Sequence, residues 1–107
     1  MKEEVKNGRD VEEDKYGTIR WYKNGKLHRE DSPAYESPDG VKEWWLNGQR
    51  HREDGPAIEQ DDGSKEWYLN GIEYTEEEYN QWLKKKLLNE NLLATLEEKP
   101  SVKKVKI

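Results

Sequence analysis

The sequence predicts a mainly β fold, an antiparallel meander of repeated hairpins, with a C-terminal helical arm packed on or extending from the sheet. Three observations predict it. A segment of 23 residues recurs along the chain. Each copy carries two turn signals at fixed offsets. The last copy gives way to a helix-starting phrase, Thr75-Glu76-Glu77-Glu78.

The first copy runs from Gly17 to Asp39 and the second from Gly40 to Asp62. They agree at 12 of 23 positions, including Trp, Asn-Gly, His-Arg-Glu-Asp and Pro-Ala. The third starts at Gly63 and follows the second through Asn70-Gly71 before diverging. A fixed period of this size signals stacked supersecondary units. A half-copy precedes them, because Val11–Gly17 lines up with Ala34–Gly40 and Ala57–Gly63.

Asn24-Gly25, Asn47-Gly48 and Asn70-Gly71 are short hairpin turns, since both residue types tolerate positive φ. Pro38-Asp39-Gly40 and Asp61-Asp62-Gly63 supply the second set of turns. Short β-prone runs lie between them, as in a meander. Pro33 and Pro56 mark strand starts or edges, because proline donates no ladder hydrogen bond. Alternation along a strand sends Trp21, Trp44 and Trp67 to one face and Tyr22, Trp45 and Tyr68 to the other. One row is expected to form the core. The other is expected to be covered or to serve as a contact surface.

Thr75 and Glu78 form a capping box, and the acids of the first turn suit the helix dipole. A helical arm is therefore predicted over 75–98. Tyr79, Trp82, Leu83 and Leu87 form one apolar stripe. Leu88, Leu92, Leu93 and Leu96 lie off it and are candidate oligomer contacts, as in a homodimer through the helix. Pro100 is expected to stop the helix, leaving 99–107 as a basic tail. Residues 1–10 are expected to be a flexible arm and 11–74 the three-repeat sheet.

Composition bounds the chemistry. The chain has 107 residues, room for one domain. Charged residues make up 40% and hydrophobic ones 31%, a balance that argues for disorder. Five Trp and six Tyr oppose it, each able to bury about 150–250 Å². No Cys is present, which excludes disulfides, thiolate zinc sites and cysteine nucleophiles. No apolar run approaches the roughly 20 residues of a membrane span, and Met1–Lys6 is unlike a signal peptide. A cytoplasmic location is expected. Residues 80–107 hold seven Lys and three Glu, a charge of +4, so the net −5 leaves −9 on residues 1–79. That acidic body disfavours direct nucleic-acid binding and suits basic partners.

The His-Arg-Glu-Asp segments at 28–31 and 51–54 raise the question of catalysis, since histidine beside carboxylates can act as base or metal ligand. The motif is duplicated, and equivalent residues of adjacent hairpins fall on the order of 10 Å apart, too far to share a metal. A structural use is expected instead. Asp31 and Asp54 can bond backbone amides before the prolines, and Arg29 and Arg52 can pair with acids of the neighbouring repeat. No enzyme activity, metal or cofactor is expected. The candidate binding residues are Trp21, Tyr22, Trp44, Trp45, Trp67 and Tyr68 with His28, Arg29, His51 and Arg52, because arginine and aromatics carry interface energy.

The phrase Trp-x-x-Asn-Gly-x-x-His, then an Asp-Gly turn, then Trp again one period on, resembles the MORN repeat over roughly residues 11–74. The resemblance implies extended hairpin sheets that bind proteins or lipid headgroups and often dimerise. After His28 and His51 the chain departs, reading Arg-Glu-Asp-Ser/Gly-Pro-Ala where a MORN repeat has glycines. The fuller phrase is similar to a repeat of many small bacteriophage and large-virus proteins, whose last copy also yields to an Asn-Gly-x-x-x-Thr-Glu-Glu-Glu helix. That resemblance implies a phage-encoded binder or inhibitor of a host protein, a defence-system component included, acting in the host cytoplasm. The alternatives are a module that sequesters a small molecule or nucleotide through Arg29, Arg52, His28 and His51, and an acidic DNA mimic.

Overall fold

The computed structural model of the chain describes residues 10–103, with 93–103 described by backbone alone. It is mainly antiparallel β with one C-terminal helix, as the sequence predicts. Two units are distinct: a sheet ending at Glu76 and a helical unit beginning at Glu77.

The strands are β1 (Val11–Glu13), β2 (Ile19–Lys23), β3 (Lys26–Leu27), β4 (Tyr35–Glu36), β5 (Lys42–Glu43), β6 (Trp45–Leu46), β7 (Gln49–Arg50), β8 (Ile58–Glu59), β9 (Lys65–Leu69) and β10 (Ile72–Tyr74). One sheet runs β1-β2-β4-β5-β8-β9-β10, with β3 also on β2, and β6 pairs with β7. Every pairing is antiparallel. Neighbouring hairpins are further joined by Arg29 N–H to Trp45 O (3.0 Å), Gly48 N–H to Leu27 O (2.9 Å), Arg52 N–H to Tyr68 O (3.2 Å) and Gly71 N–H to Arg50 O (2.8 Å).

Both turn sets form for local reasons. Asn24, Asn47 and Asn70 hold φ of 53°, 51° and 52°, and the glycines after them lie at 79° to 82°. Two successive left-handed residues define the primed turn that matches the strand twist. Each turn of the second set closes with two backbone bonds: Asp14, Ser37 and Gln60 donate N–H to Thr18 O, Val41 O and Ser64 O, and their carbonyls accept from Gly17, Gly40 and Gly63 N–H. The first of these belongs to the half-copy, and Val11 stands where Ala34 and Ala57 stand in the full copies. The wider turns also stack. A Cβ on Gly40 (φ +103°) would lie 2.9 Å from Asp61 Cβ, so a bare backbone is required there.

A row of alternating sizes crosses the sheet. Val11 faces Trp21 and Trp67 faces Tyr74. Between them, Trp21 N–H bonds Ala34 O and Trp44 N–H bonds Ala57 O, both at 2.8 Å. The row thus reads Val11, Trp21, Ala34, Trp44, Ala57, Trp67, Tyr74. Ala34 and Ala57 are fully buried. A methyl is what fits between flanking indoles in a close-packed layer. The opposite face carries Arg20, Tyr35, Glu43, Ile58 and Glu66 in cross-strand register.

The helix α1 (Glu76–Lys103) begins one residue after Thr75, the place of an N-cap. Within it Tyr79 is buried, and its ring lies 5.9 Å from that of Trp82. Lys86 and Glu90 form an i,i+4 ion pair. The expected stop at Pro100 is not observed, because helical backbone continues to Lys103. A proline removes one donor and crowds the preceding turn, and this close to a terminus few ladder bonds remain to lose. The basic tail is thus helical over 99–103, and 104–107 lie outside the described residues, as do residues 1–9 of the N-terminal arm. Asp10 O accepts from Tyr22 N–H at 2.6 Å. Among the described residues, no helix is long and apolar enough to cross a membrane.

Candidate binding groove

Each His-Arg-Glu-Asp segment leaves the ladder after the second hairpin strand and rejoins it at the alanine. His28 N–H bonds Trp21 O at 2.9 Å, and Trp21 N–H then bonds Ala34 O. His51 and Ala57 repeat the pattern around Trp44. Residues 29–33 and 52–56 are therefore successive ears, set off the ladder because Trp21 and Trp44 take both ends of each segment.

The histidines tie hairpin to hairpin. Nδ1 of His28 accepts the Asn47 N–H at 2.9 Å, and Nδ1 of His51 accepts the Asn70 N–H at 2.9 Å. An accepting Nδ1 assigns the ring proton to Nε2. Those Nε2 atoms face Glu30 at 3.5 Å and Glu53 at 3.3 Å. Both side chains are about nine-tenths buried.

The arginines lie over the tryptophans of their own repeats, Arg29 at 3.9 Å from the Trp21 ring centre and Arg52 at 3.7 Å from that of Trp44. Such stacking contributes about 0.5–2 kcal/mol. Arg52 also donates to Asp54 (3.0 Å), Pro56 O (3.1 Å) and Glu59 (3.2 Å). The expected ladder between neighbouring repeats is thus replaced by pairing inside a repeat. Only Glu53 separates Arg52 from Asp54, and the guanidinium folds back over the Trp44 indole of its own repeat. Asp54 takes that guanidinium where an amide of the turn was expected.

The second aromatic row is also lidded. Arg50 lies 4.9 Å from the Trp45 ring and 5.4 Å from the Tyr68 ring. Trp45 Nε1–H donates to Glu43 at 2.9 Å, and Tyr22 OH donates to Glu12 at 3.2 Å. Burial and the negative Glu12 raise the Tyr22 hydroxyl above its usual range, and burial with Glu73 does so for Tyr68. All six row residues, Trp21, Tyr22, Trp44, Trp45, Trp67 and Tyr68, are half-buried. The first row holds the buried Val11, Ala34 and Ala57, and the second is covered in part by the Arg50 guanidinium.

Between the two ears lies a groove of about 520 Å³, walled by residues 29–33 on one side and 51–54 on the other, with Trp44 and Leu46 between. It gathers Arg29, His51, Arg52 and Trp44 from the predicted residues. Its walls hold two arginines against Glu30, Asp31, Glu53 and Asp54, two more negative charges than positive. Alternation alone did not single out Leu46, the four carboxylates or Arg50. The hairpin register carried the signal for Arg50, because counting back from the Asn47-Gly48 turn sets it opposite Trp45.

Among the described residues, no cluster of three or more His, Cys, Asp or Glu is placed to hold a metal. On the helix, Leu88 and Leu92 are 57% and 53% exposed, and the side chains of Leu93 and Leu96 lie outside the described set. No known protein family, no curated protein and no solved structure matches the chain.

Proposed function

We propose that the chain is a non-enzymatic protein-interaction module that binds and blocks a host protein, in the manner implied by its likeness to phage repeat proteins, in the host cytoplasm. One observation carries this reading. The duplicated His-Arg-Glu-Asp segment is spent on stacking hairpins, yet its two copies leave an acidic groove open between them. Against a catalytic role, each imidazole already bonds a backbone amide through Nδ1 and turns Nε2 toward a glutamate. A general base needs a free nitrogen beside its substrate.

Nucleotide sequestration is less favoured. Arg52 is already neutralised by Asp54 and Glu59, and the groove's net charge repels phosphate. A DNA mimic is disfavoured by arginines set among the carboxylates. The exposed Leu88 and Leu92 support a homodimer contact through the helix as part of the same proposal.

Affinity capture from bacterial lysate, followed by reconstitution with the purified partner, tests the reading. A stoichiometric complex that survives gel filtration is expected. Failure to retain any specific protein contradicts it.

A further inference from the structure

The two ears are not equivalent, and one side-chain position accounts for the difference. Position 55 is Gly, whereas position 32, one repeat earlier, is Ser. A Cβ at 55 would lie 3.0 Å from Arg52 Cζ and 3.2 Å from its Nε. The Arg52 guanidinium thus uses space that a side chain at 55 would fill. From there it reaches Asp54, Pro56 O and Glu59 together. Ser32 has that Cβ. Arg29 keeps its stack on Trp21 but reaches Pro33 O only at 3.4 Å, and it has no ion pair among the described residues. Asp31, the counterpart of Asp54, is exposed and likewise has no ion pair or hydrogen bond among the described residues.

The repeat-one wall of the groove therefore presents a carboxylate without a cation and a guanidinium without an anion. The repeat-two wall has closed the same pair on itself. Resting on the interaction-module reading, we propose that this groove binds an extended peptide segment of the partner carrying a lysine or arginine side chain. The cationic head pairs with Asp31, with Glu30 beside it. The aliphatic stem lies along Leu46 and Trp44, as long basic side chains do on apolar surface. A main-chain carbonyl of the segment accepts from Arg29. Charge complementarity selects a basic segment over an acidic one, since the walls hold four carboxylates against two guanidiniums.

The test is NMR titration of the full chain with a capped decapeptide of alternating Gly and Arg. Its Gly-Glu analogue and free arginine are the comparison arms. Saturating shifts at the Trp44 indole and at residues 29–33 are expected with the Gly-Arg peptide alone. Asp31→Asn is expected to weaken binding about threefold, the size of one exposed ion pair. Ser32→Gly is expected to weaken it similarly, because Arg29 can then adopt the Arg52 arrangement and close on Asp31. Gly55→Ala, which displaces Arg52, is expected to leave binding intact or strengthen it. Equal binding by wild type and Asp31→Asn, or by wild type and Ser32→Gly, overturns the proposal. So do shifts spread over the sheet without saturation, and free arginine binding as tightly as the peptide. A captured partner that binds Asp31→Asn normally removes this site while leaving the module reading intact. Peptide binding at Trp44 with no partner captured supports the site and counts against the module reading.

Discussion

His28 and His51 do the same work at successive hairpins, each offering Nδ1 to the turn amide of the next repeat. His51→Ala should cost about 1–2 kcal/mol in urea unfolding, the size of one hydrogen bond with the packing of a mostly buried ring. His28→Ala should cost the same within error, since the geometry is repeated. A neutral effect of both contradicts the staple role. Ala57 stands under tighter limits, being fully buried between Trp44 and Trp67 in the row. Ala57→Leu should destabilise by about 1–3 kcal/mol or prevent folding, because a filled layer cannot absorb three more carbons. Trp positions were legible from alternation. The alanines were not, because a lone Ala carries no periodic signal, although its identity in both copies directly opposite Trp marks the place. The Arg-on-Trp lids were missed because a guanidinium two residues from an acid can fold either way, and only the closed backbone decides.

The turns are the elements that the sequence specifies most completely. Asn-Gly forced three primed turns, and the register followed from them. Asp14 and Asp62 sit in the wider turns, and both carboxyls ionise more readily in the folded chain. Burial pushes Asp14 up, but the Thr18 and Tyr16 amides and the Arg20 guanidinium outweigh it. For Asp62 the Ser64 amide and hydroxyl lead. A lowered folded value means that the unfolded state binds more protons. Stability is then full above the ordinary aspartate range and is lost as pH falls below about 4. The melting temperature should drop through that window, and Asp14→Asn with Asp62→Asn should flatten the fall. An unchanged profile in the double variant would sink the assignment. At the helix, Leu88→Lys with Leu92→Lys should leave the circular dichroism intact and shift sedimentation toward monomer if those leucines join two copies. A wild-type monomer at high concentration contradicts the homodimer proposal.

Across the whole molecule, periodicity made the fold readable, and the repeat's imperfection at Ser32 and Gly55 makes the two walls of the candidate groove differ. The 23-residue period carried the meander and the two faces, and the Thr75–Glu78 capping box, where the period breaks off, carried the helix start. Side-chain lids and the Ser32–Gly55 difference depend on which neighbour a guanidinium reaches, and that is a tertiary fact. Residue identity at 32 and 55 was visible all along, but its consequence appears only once Arg52 is seen in the space above Gly55. The central claim is that the ears stack the sheet and leave a groove for a partner. The most direct test is quantitative capture of the reconstituted partner by wild type and by a Glu30→Gln, Asp31→Asn variant shown to melt like wild type. Binding weakened about tenfold in the variant, the size of two exposed ion pairs, is the predicted result. Equal binding by the two, with both folded, would contradict it.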